Sequence, residues 1–303
     1  MSFWKTLRQH QRLAMYRLLD WLAVAVIAIG AFMLDRLPAF HRQFSLDDPT
    51  IKFPMATKNT VTSLHLTIIS VVVPAVLLAV IALGMRRSPY DLHQAYLGLG
   101  VALSTTSLFV HIFKNFVGRP RPDFLDRCRP SADAVDPVQA LSSISICTQT
   151  NLKILYDGMK SFPSGHAAYS FAGLAFVSFY MAGKLRIFDE RGFVFKPLLC
   201  LMPLIGAALV AISRVCDYRH HWQDVTIGSI LGFSLAYFAY RLYYPSLAHS
   251  SSMHPFAAAK GPLFGGGNGG RIQRLPSEDV QLRTPLRSPD DASSIEQGLP
   301  AVR

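Results

Sequence analysis

Charged residues are scarce in this 303-residue chain: they make up 16% of it, while half of the residues are hydrophobic. This composition excludes an ordinary soluble domain, in which about one residue in four is charged. Several apolar runs reach the ~20 residues that are needed to cross a bilayer. The sequence therefore predicts a membrane protein.

Acidic residues are fewer still, with 19 Asp and Glu against 30 Lys and Arg, so the net charge is +11. The basic residues lie in short segments between apolar runs, and the basic-aromatic interleaving of nucleic-acid binders is missing. Such a distribution is typical of membrane orientation signals and of proteins that bind an anionic substrate. No nucleic-acid partner is expected.

Cysteine is also rare: four residues are too few for a disulfide scaffold, and they show no paired zinc spacing. Cys128 and Cys147 both fall in the one long loop between apolar runs. If that loop faces an oxidising compartment the two can pair, and otherwise they are two free thiols. Cys200 lies inside an apolar run, where we expect a small packed residue.

Six apolar segments predict six membrane-spanning helices, at residues 18–34, 61–85, 92–113, 165–181, 197–212 and 225–240. Residues 1–17 carry four basic residues and no acid, so by the positive-inside rule this N-terminal segment is cytoplasmic. The first run ends without a small-x-small cleavage pattern, which indicates a retained span and not a signal peptide.

From residue 246 onward the composition changes to Ser, Gly, Pro and mixed charge, so we expect 246–303 to be a disordered cytoplasmic tail. The membrane domain is then 18–245. With both termini cytoplasmic, six spans place three connections together on the non-cytoplasmic side, namely 35–60, 114–163 and 213–224.

The third of these connections holds a dense ionisable cluster, which is costly at a membrane boundary unless it has a task. His220 and Asp224 are four residues apart, so on a helical turn they share a face and the carboxylate can hold the imidazole. An imidazole held in this way is a ready nucleophile or general base. Arg214 suits bidentate contact with phosphate oxygens. The alternative is a merely solvated, charged loop.

The second connection begins with Lys114 and continues with Arg119 and Arg121, three cations that would attract a multiply charged anion. The alternative is a basic anchor at the membrane interface, with the lysine side chain extended toward the headgroups.

The same connection ends in Pro163, Ser164, Gly165 and His166, which open the fourth span. The first N–H groups of a helix have no internal partners and form a natural anion site, and Gly165 permits close approach to the backbone. His166 is then placed to give a proton to a departing oxygen. The alternative is a plain N-cap followed by a packed histidine. Together the three clusters supply what phosphoryl transfer requires.

The three clusters form a recognisable set: Lys114-x6-Arg121-Pro122, Pro163-Ser164-Gly165-His166 and Ser213-Arg214-x5-His220-x3-Asp224. This set resembles the type 2 phosphatidic acid phosphatases, or lipid phosphate phosphatases, whose superfamily includes bacterial acid phosphatases and vanadium haloperoxidases. All three motifs are complete and in order, and the resemblance covers roughly residues 15–245. The surrounding sequence is most similar to the fungal diacylglycerol pyrophosphate and phosphatidate phosphatases.

The resemblance implies an all-α bundle of six transmembrane helices and a role for each motif residue. His220 would form a phosphohistidine, oriented by Asp224, while His166 would protonate the leaving oxygen and then activate water. The neighbouring His221 does not satisfy the motif spacing. The residues implied to bind the phosphoryl oxygens are Lys114, Arg121, Ser164, Gly165 and Arg214.

The implied mechanism needs no metal or other cofactor, because arginine, lysine and backbone amides replace magnesium. Asp123, Asp126 and Asp224 do not form the compact carboxylate set that magnesium uses. One departure from the pattern is that Arg119-Pro120 duplicates Arg121-Pro122. We expect Arg119 to assist substrate attraction and Arg121 to make the tight contact with phosphate.

The expected function is metal-independent hydrolysis of phosphatidate, lysophosphatidate or diacylglycerol pyrophosphate by an integral membrane enzyme, with its site lumenal, vacuolar or extracellular. Two alternatives stay open. The motifs hold phosphate and say little about what carries it, so the substrate could be a sphingoid-base, isoprenoid or sugar phosphate. The chain could also be a silent lipid binder or transporter, against which the intact His166, His220 and Asp224 argue. The sequence does not specify an oligomeric state.

Overall fold

The computed structural model describes residues 2–85 and 88–256, with side chains from Leu18 onward apart from Met85. These residues form helices and loops without a β-strand. The six long helices are α1 (Ser2–Arg36), α2 (Ser63–Gly84), α3 (Pro89–Val117), α4 (Gly165–Leu185), α5 (Phe195–Cys216) and α6 (Trp222–Tyr243). The α3–α4 connection contains two short helices, Phe124–Cys128 and Leu152–Asp157. Helix α2 alternates between α-helical and π-helical turns, the latter at Ile68–Val72 and Val80–Met85.

Each predicted span coincides with one long helix. Within the described residues, five of the six are long and apolar enough to cross a membrane on their own: α1 from Leu18, and α2, α3, α5 and α6. Helix α4 is not among the five because it is rich in Ala, Gly, Ser and Tyr. It occupies the centre of the bundle, where it packs against α2, α3, α5 and α6 and most of its residues are buried. The chain is therefore an all-α membrane bundle, as predicted.

Glycines let the neighbouring helices approach α4 closely. A Cβ atom at Gly173 would lie 2.0 Å from the Ser70 carbonyl oxygen of α2, and one at Gly232 of α6 would lie 2.1 Å from that of Ala168. Small residues at such crossings permit the backbone contact that drives association in membranes. The central position of α4 thus depends on glycine at both crossings.

The helix ends that carry the three motifs meet at one end of the bundle. Because successive helices run in opposite directions, the ends of α1, α3 and α5 lie beside the starts of α2, α4 and α6. Backbone hydrogen bonds tie them together: the Phe40 amide donates to Asn115 and the Ser164 amide donates to Asp224. We call this the motif end.

Gly118 sets the direction of the chain at the motif end. It ends α3 in the left-handed conformation (φ 55°), and its amide donates to the Lys114 carbonyl. A Cβ atom there would lie 1.8 Å from the Phe40 carbonyl oxygen. Only glycine fits both the backbone conformation and the contact. The chain then continues directly to Arg119 and Arg121.

The long α3–α4 connection is compact. Cys128 and Cys147 form a disulfide within it. Phe44 from the α1–α2 connection packs edge-on against Phe124, beside the disulfide, in a small apolar core. The connection is therefore a structured cap on the bundle.

The opposite end of the bundle is held by a buried ion pair. Lys184 of α4 contacts Asp91 of α3 at 2.7 Å and also donates to the Met253 carbonyl, while Ser252 is buried against Gly183. Residues 246–256, which the sequence analysis assigns to the tail, therefore form turns packed against the helices. The remainder of the predicted tail, 257–303, lies outside the described residues.

Candidate active site

His220 lies in the tight connection between α5 and α6, and only 3% of it is exposed. Its Nδ1 atom is 2.6 Å from the carbonyl oxygen of Ser161. Because a carbonyl oxygen only accepts, Nδ1 must carry the proton, and Nε2 keeps its lone pair. The structure thus holds this histidine in the tautomer that a nucleophile requires.

His221 has both ring nitrogens engaged. Nδ1 is 3.2 Å from the Asp224 carboxylate, and Nε2 is 3.2 Å from the carbonyl oxygen of Thr50. The residue is the N-cap of α6, and its amide donates to Asp224 in a capping box. His221 is therefore part of the scaffold, which agrees with the choice of His220 from motif spacing.

Asp224 does not hold His220 directly, so the expectation based on a shared helical face is wrong. Helix α6 begins at Trp222, which leaves His220 outside the helix, and the i, i+4 geometry does not apply. The fully buried carboxylate instead accepts from Ser161 Oγ at 2.6 Å and from the His221 amide. Asp224 reaches His220 through Ser161, whose carbonyl oxygen contacts the imidazole.

His166 lies in the first turn of α4, where its ring hydrogen-bonds to the backbone of Val61. Its Nε2 atom is buried and has no hydrogen-bond partner in the described part of the chain. Ser164 is the N-cap of this helix, and its side chain accepts from the Ala167 amide. The arrangement leaves one histidine nitrogen available to exchange a proton with a bound oxygen.

The predicted phosphate-binding arginines are buried and braced by carboxylates. Arg121 contacts Asp157 at 2.9 Å, and Arg214 contacts Asp217 at 2.6 Å. Asp217 also accepts two hydrogen bonds from Thr60. Such ion pairs fix the guanidinium groups in one orientation, which is what a preorganised oxyanion site needs.

Lys114 has no salt bridge or hydrogen bond to the described residues. Its Nζ atom lies at the head of α4, where a Cβ atom added to Gly165 would be 3.4 Å away. The ammonium group is thus beside the helix start that Ser164 caps, and it can share a bound anion with the free N–H groups of that turn.

Arg119 has a partner within the chain that the sequence did not predict. Its guanidinium contacts Asp224 at 2.6 Å and is 27% exposed. Together with Ser161 and His221 it completes the shell of donors around that carboxylate. Its expected role in substrate attraction stays a prediction, whereas its bracing of Asp224 is a direct contact.

The surrounding charges set the protonation of His220 and Asp157, which lie outside the membrane-spanning helices. Burial, together with the nearby cations Arg121 and Lys114, holds the pKa of His220 well below that of a free imidazole. For Asp157, burial favours a higher pKa, but Arg121, Arg127 and Lys114 outweigh it and the pKa falls below its usual range. His220 is therefore neutral and Asp157 is charged at neutral pH.

Sequence reasoning missed the layer behind the motif residues. Arg127 is 2% exposed and joins Asp123 and Asp157, while Arg219 contacts Asp123 and Asn59. Two of the ion pairs could have been found from sequence spacing, because Arg127 follows Asp123 by four residues and Asp217 follows Arg214 by three. The contacts of Asp157 and Ser161 could not, since these residues come close to the motif residues only when the chain folds.

Two cavities adjoin the two histidines from different sides. A cleft of ≈ 410 Å³ reaches His220 between Phe53, Pro122, Tyr218 and Trp222, with the Phe53 and Tyr218 rings stacked. A second cavity of ≈ 570 Å³ lies among α1, α2, α3 and α4 and reaches His166. Among the described residues, no three His, Cys, Asp or Glu side chains are grouped so that they could hold a metal ion.

Comparison with known proteins agrees with these motifs. Residues 95–247 match the family described as the PAP2 superfamily. Lipid phosphate phosphatase 2 of Arabidopsis thaliana is 39% identical over 79% of this chain and 82% of its own. Diacylglycerol pyrophosphate phosphatase 1 of Saccharomyces cerevisiae is 37% identical over 77% and 82%.

Among solved structures, the chain is similar to the first transmembrane PAP2 type phosphatidylglycerolphosphate phosphatase from Bacillus subtilis. The identity is 18% and the TM-score is 0.37, over 77% of this chain and 95% of that one.

Proposed function

The chain belongs to the PAP2 superfamily and is a membrane-embedded phosphatase of that family, and we propose that it dephosphorylates phosphatidate-type lipids through a phosphohistidine at His220. The observation that carries this proposal is the contact between His220 Nδ1 and the Ser161 carbonyl, which leaves Nε2 unprotonated beside the cation cluster.

In the first step, the lone pair of His220 Nε2 attacks phosphorus and the bond to the leaving oxygen breaks. His166, which carries a second proton on Nε2 while the anionic substrate is bound, donates that proton to the leaving oxygen, so the alcohol or phosphate departs protonated. In the second step, His166 takes a proton from water, the resulting hydroxide attacks phosphorus, and the P–N bond breaks. Inorganic phosphate leaves, and both histidines return to their initial states.

The buried cations stabilise the charge on the three non-bridging oxygens in both transition states. Arg121 and Arg214 are already oriented by Asp157 and Asp217, so little reorganisation is needed when the phosphoryl group transfers. Lys114 and the free amides after Ser164 complete the anion site. This set supports a mechanism without a metal ion, since the positive charge that magnesium supplies elsewhere is built into the chain.

The proposed substrates are phosphatidate, lysophosphatidate and diacylglycerol pyrophosphate, in keeping with the names of the similar proteins. We place the motif end on the non-cytoplasmic side, at a lumenal, vacuolar or extracellular surface. The disulfide between Cys128 and Cys147 supports this side, because disulfides persist in oxidising compartments.

The test is phosphate release by the purified protein from phosphatidate micelles in excess EDTA. Wild type and His221→Ala should both release phosphate, whereas His220→Ala should lose the activity by several orders of magnitude. Release that persists in His220→Ala would reject this nucleophile. An absence of release from wild type with any lipid phosphate would favour a binding or transport role.

A further inference from the structure

The cavity among α1–α4 contains an unusual number of hydroxyl groups for an apolar chamber. Its lining reaches His166 at the motif end and includes Val24, Leu66, Val71 and Leu103. Six side chains with hydroxyl groups line it as well: Ser63, Thr67, Ser70, Ser104, Ser107 and Tyr169. Its volume of ≈ 570 Å³ is within the range of small-molecule sites, which combine an apolar lining with a few placed polar groups.

The chemistry of the proposed reaction determines what enters this cavity. The nucleophile and the leaving oxygen stand on opposite sides of phosphorus in an in-line transfer. His220 attacks from one side, so the leaving oxygen faces His166. Whatever is attached to that oxygen therefore extends from His166, and the adjoining cavity is the one among α1–α4.

Three of the six lining hydroxyls are occupied by their own helices. Thr67 donates to Ser63, Ser70 donates to Leu66, and Ser104 donates to Val101, each time at a backbone carbonyl. Hydroxyl groups bonded in this way fill space but have no proton left for a ligand.

Ser107 and Tyr169 are hydrogen-bonded to each other across α3 and α4. The Tyr169 hydroxyl donates to Ser107 Oγ at 2.9 Å, and His111 Nε2 lies 3.4 Å from the same phenol. His111 is in turn held by Asp35 at 3.2 Å. Since Ser107 accepts from the tyrosine, its own hydroxyl proton is left to donate, and the described residues show no acceptor for it.

The Ser107–Tyr169 pair also lies at a depth in the cavity that suits contact with a group close to the leaving oxygen. Tyr169 follows His166 by three residues, which is about 4.5 Å along the helix axis on a neighbouring face. Its ring edge would lie 3.6 Å from a Cβ atom at Gly165. In a diacylglycerol the acyl esters are on the second and third carbon atoms from the leaving oxygen, so an ester carbonyl would reach this level.

We propose that the cavity among α1–α4 receives the diacylglycerol part of the substrate and that Ser107, positioned by Tyr169, donates a hydrogen bond to an acyl-ester carbonyl. The site would then select ester-linked glycerolipids over lipid phosphates that lack this acceptor, such as isoprenoid phosphates. This inference rests on the proposed function and assigns the specificity that the phosphate motifs leave open.

The experiment compares phosphate release from a diacyl phosphatidate and from its dialkyl ether analogue with identical chain lengths. Wild type should favour the ester by about fivefold in kcat/KM, the factor that one typical hydrogen bond provides. Ser107→Ala should bring the ratio close to one, and Tyr169→Phe should lower it. Because the readout is a ratio within one preparation, loss of folded protein does not change it.

Ser104→Ala is the matched control, because it removes the same group one turn deeper, where the hydroxyl already serves Val101. Its ester-to-ether ratio should equal that of wild type. If Ser107→Ala keeps the wild-type ratio, or if wild type shows no preference while releasing phosphate from both lipids, the inference is overturned and the proposed function stands. No release from either lipid would overturn the proposed function itself.

Discussion

At the scale of single residues, the fixed partners of the histidines decide their roles. His220 and His221 are neighbours with the same chemistry, but His221 has an acceptor on each ring nitrogen and His220 has one on Nδ1 alone. A main-chain carbonyl sets the tautomer of His220. The orientation of His220 thus comes from the loop that carries Ser161 and not from a direct contact with Asp224.

The low pKa of His220 predicts an acid-tolerant enzyme. Attack requires a neutral imidazole, and burial with Arg121 and Lys114 keeps protonation at a pH below the usual 6.5. The value of kcat/KM should therefore fall only when the pH drops well below about 6.5.

The substrate phosphate ionises near pH 6 as well, so the profile should be measured with phosphatidate and with diacylglycerol pyrophosphate. An acid limb that stays at the same pH while the separately measured ionisation of the two lipids differs belongs to the enzyme. A common limb centred at or above pH 6.5 would contradict the assignment.

The contact between Arg119 and Asp224 predicts that removing the Arg119 side chain lowers the stability of the protein. Removing its guanidinium leaves the buried Asp224 carboxylate without its cation, so Arg119→Ala should lower the free energy of unfolding by about 2–3 kcal/mol. This is below the cost for a fully buried pair, because Arg119 is 27% exposed. The midpoint of thermal unfolding in detergent measures the effect.

Lys52→Ala provides the control, since it breaks an exposed pair with Asp47 at 3.8 Å that should contribute almost nothing. Equal midpoints for the two variants would show that Arg119 does not brace Asp224.

The motifs allowed the candidate site residues to be proposed, but not the contacts that support them. His166, His220 and the cations stand in fixed spacings that can be read from the chain. The contacts of Ser161 and Asp157 depend on where a long loop returns, and no local pattern encodes that return. The His220–Asp224 contact was wrong because spacing alone does not show where a helix begins.

At the scale of elements, α4 is the helix on which the site is built. It carries Ser164 and His166 at its start, and α6 crosses it closely at Gly228 and Gly232. Its low hydropathy follows from this role, since a helix surrounded by protein needs small residues more than lipid-facing ones. The apolar run at 165–181 predicted α4 as a span, although α4 is less apolar than the five other long helices.

The close crossing predicts that Gly232→Ala is strongly destabilising. The added methyl group would meet the Ala168 carbonyl oxygen at 2.1 Å, and backbone cannot move aside as a side chain can. We expect a loss of about 3 kcal/mol together with reduced activity, because α4 and α6 carry His166 and Asp224.

Gly206→Ala on α5 is the matched control: the nearest atom to its Cβ would be Leu174 Cδ1 at 3.7 Å, an ordinary contact. Its thermal midpoint should equal or slightly exceed that of wild type, since alanine favours a helix. Similar losses of stability in both variants would show that the close crossing of α4 and α6 is not the cause.

At the scale of the whole molecule, the two ends of the bundle differ in kind. The motif end carries the disulfide and the cation cluster, and the other end carries the buried Asp91–Lys184 pair and the turns of residues 246–256. Basic residues between the apolar runs predicted which end is cytoplasmic. The structure places the motifs at one end, and the membrane side remains our proposal.

Sidedness is tested with single cysteines in a background that lacks the free Cys200 and Cys216. Val138→Cys, at a position 95% exposed at the motif end, should react with an impermeant maleimide from the non-cytoplasmic side. Phe188→Cys, at a position 63% exposed at the other end, should react only after permeabilisation. The reverse pattern would invert the proposed orientation.

The most direct test of the central claim is to trap the phosphoenzyme. Wild type is mixed with diacylglycerol pyrophosphate labelled in its terminal phosphate, quenched within milliseconds in alkali, which preserves a P–N bond, and digested for peptide mapping. We predict label on the peptide that contains His220, with none in His220→Ala and undiminished label in His221→Ala. Rapid turnover with no labelled peptide, or label on another residue, would contradict the account.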